Sequence, residues 1–436
     1  MENTIKSAQF LKLVLVTLLW LIPFQNGFGC SGYKVTLGNK TLFGSNEDAW
    51  RVTPHIWFEN ARGKGEYGAA FTGSRYDGEN GYAPQSGMNE MGLVFERLSS
   101  YHPESKKVAN RKPITNPTKY LKDILHRCKT VEEVQKYIST FDHSYFMEDI
   151  FIYADKSGKY LVVEPYTLTI GSDPSYVISN FCPSITSKQD ANQLDRYRNG
   201  VAFLKNKMDT TLEFCQALSD TMHVCREKIG DGTLLTSIWD LNTGTVNLYF
   251  YHQYKTTVQF NLKEELGKGD HLIAIDTLFP KNSEFEKLRN YKTPKNNTLI
   301  ALFLIASAGL FLFSSIYFLI RYFRRKQNSK YRYIQVWMSL LGFLMFCYVV
   351  VLCVGSINRF YFPAPYKDPA SVFISLMAYT PFLLLLIIIP FCVINYKLLK
   401  EQSWSVFAKV LFALNNLVYM ILIWLFVYWG FYGVFN

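Results

Sequence analysis

The sequence of 436 residues predicts an α+β domain of antiparallel sheets followed by an all-α membrane domain of four helices. Three observations support this division: a short apolar segment near the N-terminus, blocks of strand and helix patterns over residues 30–290, and four long apolar segments beyond Pro294. We therefore expect a signal peptide at residues 1–29, an exported domain at 30–290, a linker at 291–298 and the membrane domain at 299–434.

The first element is the predicted signal peptide. Lys6 and Lys12 flank the start of an apolar segment at residues 13–24, which is too short to cross a bilayer. Gly27 and Gly29 supply small residues at the third-last and last positions of a signal peptidase site. Cleavage after Gly29 would make Cys30 the first residue of the mature chain.

Two other interpretations of Cys30 stay open. Its sulfur could be lipidated, although lipoprotein signals usually have a branched or aliphatic residue where Gly27 stands. In an oxidising compartment Cys30 could instead join a disulfide, because the chain has eight cysteines. The other cysteines of the exported domain, whose pairing cannot be deduced from the sequence, are Cys128, Cys182, Cys215 and Cys225.

The exported domain begins with short strand patterns. Residues 33–37 and 41–45 flank Gly38-Asn39-Lys40, which predicts a hairpin with a three-residue loop. A helix is predicted at residues 118–128, and Thr130 to Glu133 form a capping box that opens a second helix through residue 138. Further elements are predicted as helices at 191–205 and 211–224 and as strands at 55–59, 93–98, 149–154, 160–164, 176–179, 234–240, 245–251 and 256–261.

The membrane domain is predicted from four apolar segments, at residues 299–320, 334–354, 372–394 and 410–434. Each is long enough to cross about 30 Å of hydrocarbon. The first connecting loop holds six Lys and Arg and the third holds three, whereas the second holds only Arg359 and Lys367. By the positive-inside rule the first and third loops face the cytoplasm, so that residues 30–297 are exported.

The charge distribution limits the classes of function. Residues 298–436 hold 11 Lys and Arg against two acids, so most of the net charge of +11 belongs to the membrane domain and nucleic acid is not an expected partner. The four spans contain no Asp, Glu, Lys, Arg or His, which disfavours a transporter or channel. Asn415 and Asn416 are typical of contacts between helices. We interpret the four helices as an anchor or as a binding surface for a membrane-protein partner.

Several familiar kinds of site are missing from the sequence. It has no G-x-S-x-G motif, no complete phosphate-binding loop and no close His and Cys spacing that would bind a metal, so no metal or cofactor is expected. The seven histidines are scattered, which gives a Cys–His pairing no local support. An N-terminal Cys30, by contrast, would combine two groups in one residue. Its thiol can attack a carbonyl while its α-amino group accepts the proton.

Five segments of the exported domain resemble one enzyme family. The opening segment, CSGYKVTLGNKTLFGSNED, contains the pattern Gly-x-Asn-x-Asp as Gly44, Asn46 and Asp48, and it is similar to the first hairpin of the choloylglycine hydrolase and penicillin V acylase family of N-terminal nucleophile hydrolases. The other similar segments, in family order, are SGMNEMGLVFERL (86–98), DKSGKYLVVEP (155–165) with YVISN (176–180), LDRYRNGVAFL (194–204) and LLTSIWDLNTGTVNLYF (234–250). The resemblance implies an αββα sandwich and hydrolysis of linear amides.

The resemblance also implies a role for each matched residue. Cys30 would be the nucleophile and, through its amine, the base, and Asp48 would hold that amine. The Asn180 side chain would donate to the oxyanion and Arg196 would support the thiolate. Ser99 would provide a second oxyanion donor through its backbone N–H.

The chain departs from the family at two positions. Ser45 stands where an arginine is common before Asn-x-Asp, so one cation near the thiol is missing, and Ser99 stands where an asparagine is common. These departures weaken an expectation of bile-salt specificity more than an expectation of catalysis. A small-molecule amide is the expected substrate, and the aromatic residues considered for an apolar acyl pocket are Tyr33, Trp57, Phe71 and Tyr82.

The sequence thus predicts a membrane-anchored, extracytoplasmic amide hydrolase that acts through a thioester on Cys30. The same thioester could be captured by an amine, which would make the protein an acyltransferase. A non-catalytic or lipidated module that senses a ligand or binds a partner is the other alternative. The expected location is the periplasmic face of a bacterial inner membrane.

Overall fold

The structure, a computed structural model, describes residues 29–49, 51–103, 110–206, 208–225, 229, 232–324, 331–362, 364–368, 371–400 and 404–433. The predicted signal peptide, apart from Gly29, lies outside the described residues.

Two large antiparallel sheets form the centre of residues 30–290, the domain that the sequence predicts to be exported. The first sheet has the order β12-β1-β2-β13-β14-β15 and the second has the order β11-β10-β9-β8-β7-β4-β3-β16, while β5 and β6 pair separately. The strands are β1 (Ser31–Leu37), β2 (Lys40–Ala49), β3 (His55–Glu59), β4 (Ala69–Gly73), β5 (Arg75–Tyr76), β6 (Tyr82–Ala83), β7 (Ser86–Asn89), β8 (Val94–Ser99), β9 (Asp149–Ala154), β10 (Tyr160–Val163), β11 (Leu168–Gly171), β12 (Ser175–Ile178), β13 (Gly232–Asp240), β14 (Thr245–Phe250), β15 (Val258–Asn261) and β16 (His271–Ala274).

Helices cover the outer faces of both sheets and form the membrane domain. The helices are α1 (Pro117–Arg127), α2 (Val131–Ile138), α3 (Lys188–Ala191), α4 (Asp195–Asn206), α5 (Leu212–Met222), α6 (Leu262–Leu266), α7 (Ser283–Asn290), α8 (Thr298–Arg324), α9 (Arg332–Val354), α10 (Asn358–Tyr361), α11 (Val372–Met377), α12 (Thr380–Lys400) and α13 (Val406–Tyr428).

The core has the four layers of an αββα sandwich. Phe43 and Trp239 of the first sheet and Ile152 of the second lie in one cluster between the sheets. Residues of α1 and α2 pack on the outer face of the second sheet, and residues of α4 and α5 pack on the outer face of the first. Successive side chains of a strand point to opposite faces of its sheet, so each sheet buries one set of side chains in the centre and the other set under the helices. The predicted sandwich of antiparallel sheets is confirmed.

Local sequence signals account for the ends of several elements. Asn116 caps α1 by accepting a hydrogen bond from the Lys119 N–H at 2.9 Å, and Thr130 caps α2 by accepting from the Glu133 N–H at 3.3 Å. The predicted three-residue hairpin loop is wrong, because Leu37 pairs with Lys40 and leaves a two-residue turn. Gly38 begins that turn with φ +59°, which glycine adopts without strain.

Four helical segments in the membrane domain are long and apolar enough to cross a membrane: Thr298–Arg324, Arg332–Val354, Val372–Lys400 and Val406–Tyr428. The third divides into α11 and α12 at residues 378–379. Asn415 Nδ2 donates to Ser314 Oγ at 2.7 Å and Asn416 Nδ2 donates to the Phe391 carbonyl at 3.4 Å, so both asparagines join helices.

The domain predicted to be exported contacts one end of this bundle. Tyr291, which follows α7, donates through its hydroxyl to the Phe360 carbonyl at 2.9 Å, and Phe360 lies between the second and third spans. Trp429, just after the fourth span, donates through Nε1 to the Lys292 carbonyl at 2.9 Å. These hydrogen bonds fix the segment that leads from the exported domain into α8.

All eight cysteines lie in the described residues, and none of them is part of a disulfide there. No disulfide therefore competes for Cys30 in this structure.

Candidate active site

Cys30 lies at the start of β1, where its side chain enters the space between the two sheets. It is 5% exposed and belongs to the core between the sheets. Gln85 Nε2 lies 3.5 Å from the sulfur, and the backbone N–H of Asp48 hydrogen-bonds the sulfur. The candidate nucleophile is thus held by residues of β2 and of the segment before β7.

Gly29, the residue before Cys30, packs against the Asn180 side chain. A β-carbon at Gly29 would overlap with the Asn180 amide nitrogen and lie 2.7 Å from its Cγ. A larger residue here would displace the Asn180 amide, and the predicted cleavage pattern also favours a small residue at this position. In the uncleaved chain, Gly29 covers the amide group that the family resemblance assigns to the oxyanion.

A hydrogen-bond network fixes the orientation of the Asn180 amide. Asn180 Oδ1 accepts from Arg196 Nη2, and Arg196 Nε donates to Ser179 Oγ at 2.7 Å. Asn180 Nδ2 donates one hydrogen to the Ser99 carbonyl at 2.6 Å. An amide nitrogen carries two hydrogens, so the second can serve another acceptor. The network brings Arg196 into the site as a support for Asn180, while Ser99 contributes a carbonyl oxygen.

Asp48 lies on the opposite face of β2 from the core between the sheets. Its Oδ1 accepts a hydrogen bond from Thr233 Oγ1 at 2.6 Å. Asn46, on the same face, donates to the Ser219 carbonyl at 2.9 Å and accepts from Thr236 Oγ1 at 2.7 Å, which anchors α5 to the sheet. Since Ser31 pairs with Asn46, the Asp48 carboxylate lies level with the Gly29–Cys30 peptide bond.

Burial raises the pKa of the Cys30 thiol well above its usual value, and the carboxylates of Asp48, Glu96 and Glu47 raise it further. This shift favours the protonated thiol. Arg51 and Arg97 are cations that interact with Cys30.

Two carboxyl groups, those of Glu47 and Glu96, are buried between the sheets beside Cys30. Glu47 is 3% exposed and Glu96 is fully buried. Glu47 Oε1 accepts hydrogen bonds from Thr72 Oγ1 and, at 3.3 Å, from Ser86 Oγ. A β-carbon at Gly32 would overlap with the Glu96 carboxyl group, so the glycine of the opening Cys-Ser-Gly makes room for it.

Glu47 should make the stability of the exported domain depend on pH. Burial raises its pKa from 4.5 to about 7, against the lowering effect of its hydroxyl donors. The folded state then holds a proton that the unfolded state has lost, so stability is full below about pH 4.5 and falls as pH rises to about 7, by about 3 kcal/mol. We expect the thermal midpoint of Glu47→Gln to fall less between pH 4.5 and 7 than that of the unmodified chain.

The measurement is the thermal midpoint of the full chain in detergent between pH 4.5 and 8, with Glu264→Gln as an exposed control. The same pH dependence in Glu47→Gln and in the unmodified chain would contradict the assignment.

The structure brings five predicted residues together and leaves four apart. Cys30, Asp48, Ser99, Asn180 and Arg196 meet around the Gly29–Cys30 peptide. The predicted substrate residues face other parts of the domain. Tyr33 donates to the Cys215 carbonyl beneath α5 at 2.5 Å, Trp57 lies in the core under α1 and donates to Glu59 at 3.0 Å, and Tyr82 packs on Trp57, as does Phe71.

Sequence reasoning missed the remaining neighbours of Cys30: Gln85, Arg51, Arg97, Glu47 and Glu96. The alternation of β2 offered one signal, because Glu47 follows Phe43 and Ser45 on the face that points between the sheets.

No protein-family model and no curated protein matches the chain. Solved structures that resemble it include two variants of the conjugated bile acid hydrolase from Clostridium perfringens, at 15% and 16% identity and TM-scores of 0.43 and 0.42. The penicillin V acylase from Agrobacterium tumefaciens resembles it at 12% identity and a TM-score of 0.42. The similarity covers 58% of this chain and 97% of the hydrolase chains, and 54% of this chain and 87% of the acylase chain.

Proposed function

We propose that the chain is a membrane-anchored hydrolase of linear amide bonds, and that removal of residues 1–29 makes Cys30 its N-terminal nucleophile. The position of Gly29 carries this proposal, because Gly29 packs directly against the Asn180 amide beside the buried sulfur. Its departure would leave a space bordered by the Cys30 sulfur, the new α-amino group and Asn180 Nδ2. A substrate carbonyl in that space would meet a nucleophile, a base and a hydrogen-bond donor.

In the first half of the reaction the α-amino group takes the proton of the thiol as the sulfur adds to the amide carbon. An α-amino group with a pKa of about 7.7–8.0 can accept a proton near neutral pH. The second hydrogen of Asn180 Nδ2 donates to the oxygen as it becomes negative. Asp48, whose carboxylate is held by Thr233, stabilises the ammonium that forms.

The second half of the reaction returns the enzyme to its starting state. The ammonium gives its proton to the leaving nitrogen, the carbon–nitrogen bond breaks, and the acyl group remains on Cys30 as a thioester. Water then gives a proton to the amine and adds to the thioester, after which the carbon–sulfur bond breaks and the thiol regains its proton. One amide and one water yield one carboxylic acid and one amine.

The uncleaved chain is inactive in this scheme for two reasons. The nitrogen of Cys30 is part of a peptide bond and cannot act as a base. Burial and three carboxylates raise the pKa of the thiol, so the attacking thiolate is scarce. Cleavage would place an amine beside the sulfur. Once this amine has taken the thiol proton, its positive charge, with those of Arg51 and Arg97, favours the thiolate.

Arg196 should act as a positioning residue through the amide of Asn180. The planar guanidinium of Arg196 donates to Ser179 and Asn180 at the same time, and the ammonium of a lysine cannot reproduce this geometry. We therefore expect Arg196→Lys to lower kcat about 10–100-fold with little change in KM. Arg198→Lys on the same helix is the matched control, since Arg198 is exposed and pairs with Asp195. Equal kinetics in the two variants, with equal thermal midpoints, would rule out the role of Arg196.

The contacts between the domains support an extracytoplasmic position for the site. The exported domain contacts the end of the bundle that carries the second loop and the end of the fourth span. Nine of the eleven basic residues beyond residue 298 lie in or near the first and third connections between the spans, at the opposite end of the bundle. By the positive-inside rule, that opposite end is cytoplasmic.

A panel of amides tests the proposed activity. The purified full chain in detergent is incubated with bile-salt conjugates, penicillin-type amides, N-acyl amino acids and fatty-acid amides. Stoichiometric acid and amine supports hydrolysis, whereas a new amide formed with an added amine indicates acyl transfer. No turnover of any member by protein that begins at Cys30 would count against the proposal.

A further inference from the structure

A second cluster of reactive side chains lies apart from the candidate active site. Cys225, His252 and Glu284 each offer one ligand atom, and these three atoms lie within 4.8 Å of one another. His252 Nε2 is 3.6 Å from Glu284 Oε2, and the Cys225 sulfur is 4.0 Å from the same oxygen. In the described part of the chain this is the one group of three such residues.

The histidine is the strongest indication of a ligand. The His252 side chain is 10% exposed, and its Nε2 is buried without a hydrogen-bond partner among the described residues. The 3.6 Å separation from Glu284 is too long for a hydrogen bond. This ring nitrogen faces a carboxylate and a thiol from beyond hydrogen-bond distance, and an ion or a water between them would supply its partner.

A metal ion would satisfy all three atoms. Ligand atoms around tetrahedral Zn²⁺ lie about 3.3–3.6 Å apart, given metal–ligand bonds of about 2.0–2.3 Å. The observed separations are slightly larger, and the exposed Cys225 and Glu284 side chains can move inward to close them. A thiolate, an imidazole and a carboxylate together suit Zn²⁺, whereas Ca²⁺ and Mg²⁺ prefer oxygen ligands alone.

We propose that Cys225, His252 and Glu284 bind Zn²⁺, with water in the fourth position. The three ligands come from separate parts of the domain. Cys225 bridges Gly232 at the start of β13, His252 lies in the turn after β14, and Glu284 is in the first turn of α7. The ion would therefore join the sheet to the helix that leads into the membrane domain. No short spacing motif could reveal it, because the ligands are far apart in the sequence.

Metal binding is measured on the full chain, purified in detergent without a histidine tag and treated with a chelator. We expect one equivalent of Zn²⁺ per chain. We also expect a sulfur-to-metal charge-transfer band when Co²⁺ replaces Zn²⁺. Cys225→Ser, His252→Gln and Glu284→Gln should each weaken Zn²⁺ binding at least about 100-fold, and the first should abolish the band. The matched control is His271→Gln, since His271 also pairs with a glutamate, Glu265, at 3.0 Å.

A measurement without variants keeps the test independent of their folding. One equivalent of Zn²⁺ should slow alkylation of Cys225 at least about tenfold, as read from the modified peptide. Failure of Zn²⁺ to bind, binding that is equal in all four variants, or alkylation of Cys225 at an unchanged rate would each overturn the site. None of these readouts depends on amide hydrolysis.

Discussion

Replacing Cys30 by alanine is expected to lower amide hydrolysis at least about 10⁴-fold, because in the proposed mechanism the sulfur forms the bond to the substrate. The remaining groups, Asn180 and the α-amino group, can still bind a carbonyl but cannot form the thioester. The fold should persist, since alanine at this position removes a single buried atom. The quantity to compare is kcat/KM for the best amide of the panel.

Cys128→Ala is the matched control for this variant. Cys128 is also a buried free thiol, but it lies in the core beneath α1 and α2, on the outer face of the second sheet. We expect the control to retain most of the activity. Comparable activity in Cys30→Ala and Cys128→Ala would remove Cys30 from the mechanism.

A mature chain that begins at Gly29 should be about 10²–10⁴-fold less active than one that begins at Cys30. The two proteins differ by one glycine, which the structure accommodates beside Asn180. In the longer protein the nitrogen of Cys30 belongs to a peptide bond, so the base is lost. The added residue also covers the Asn180 amide. Both effects act on the chemical step without disturbing the sandwich.

The two forms can be made by releasing a cleavable leader after residue 28 or after residue 29. Thermal midpoints that agree within a few degrees would show that both are folded. Equal kcat/KM in the two forms would mean that the α-amino group of Cys30 is not the base.

The layers of the exported domain and the matched positions around Cys30 could be predicted from the sequence, because local signals specify them. These signals are local in the sequence. They are the alternation of apolar residues in the strands, the helix caps at Asn116 and Thr130, and the short segments that resemble the family. The predicted length of the first hairpin loop is wrong by one residue, because the conformation of Gly38 allows a two-residue turn.

The groups that tune the site depend on long-range packing, and the sequence did not reveal them. Gln85 and Glu96 lie near Cys30 because the second sheet packs face to face with the first. The aromatic residues considered for substrate binding sit on strands near the site, but strand alternation turns Tyr33 and Trp57 toward the helices. The family resemblance alone implied that Arg196 supports the thiolate. Its hydrogen bonds to Ser179 and Asn180 indicate instead that it orients the Asn180 amide.

The mass of the N-terminal peptide of the full chain, isolated from membranes, is the most direct test of the proposed mechanism. We predict a peptide that starts at Cys30 with an unmodified α-amino group and a free thiol. A peptide that starts upstream of Cys30, or one that carries an acyl group on the nitrogen or a lipid on the sulfur, would contradict it.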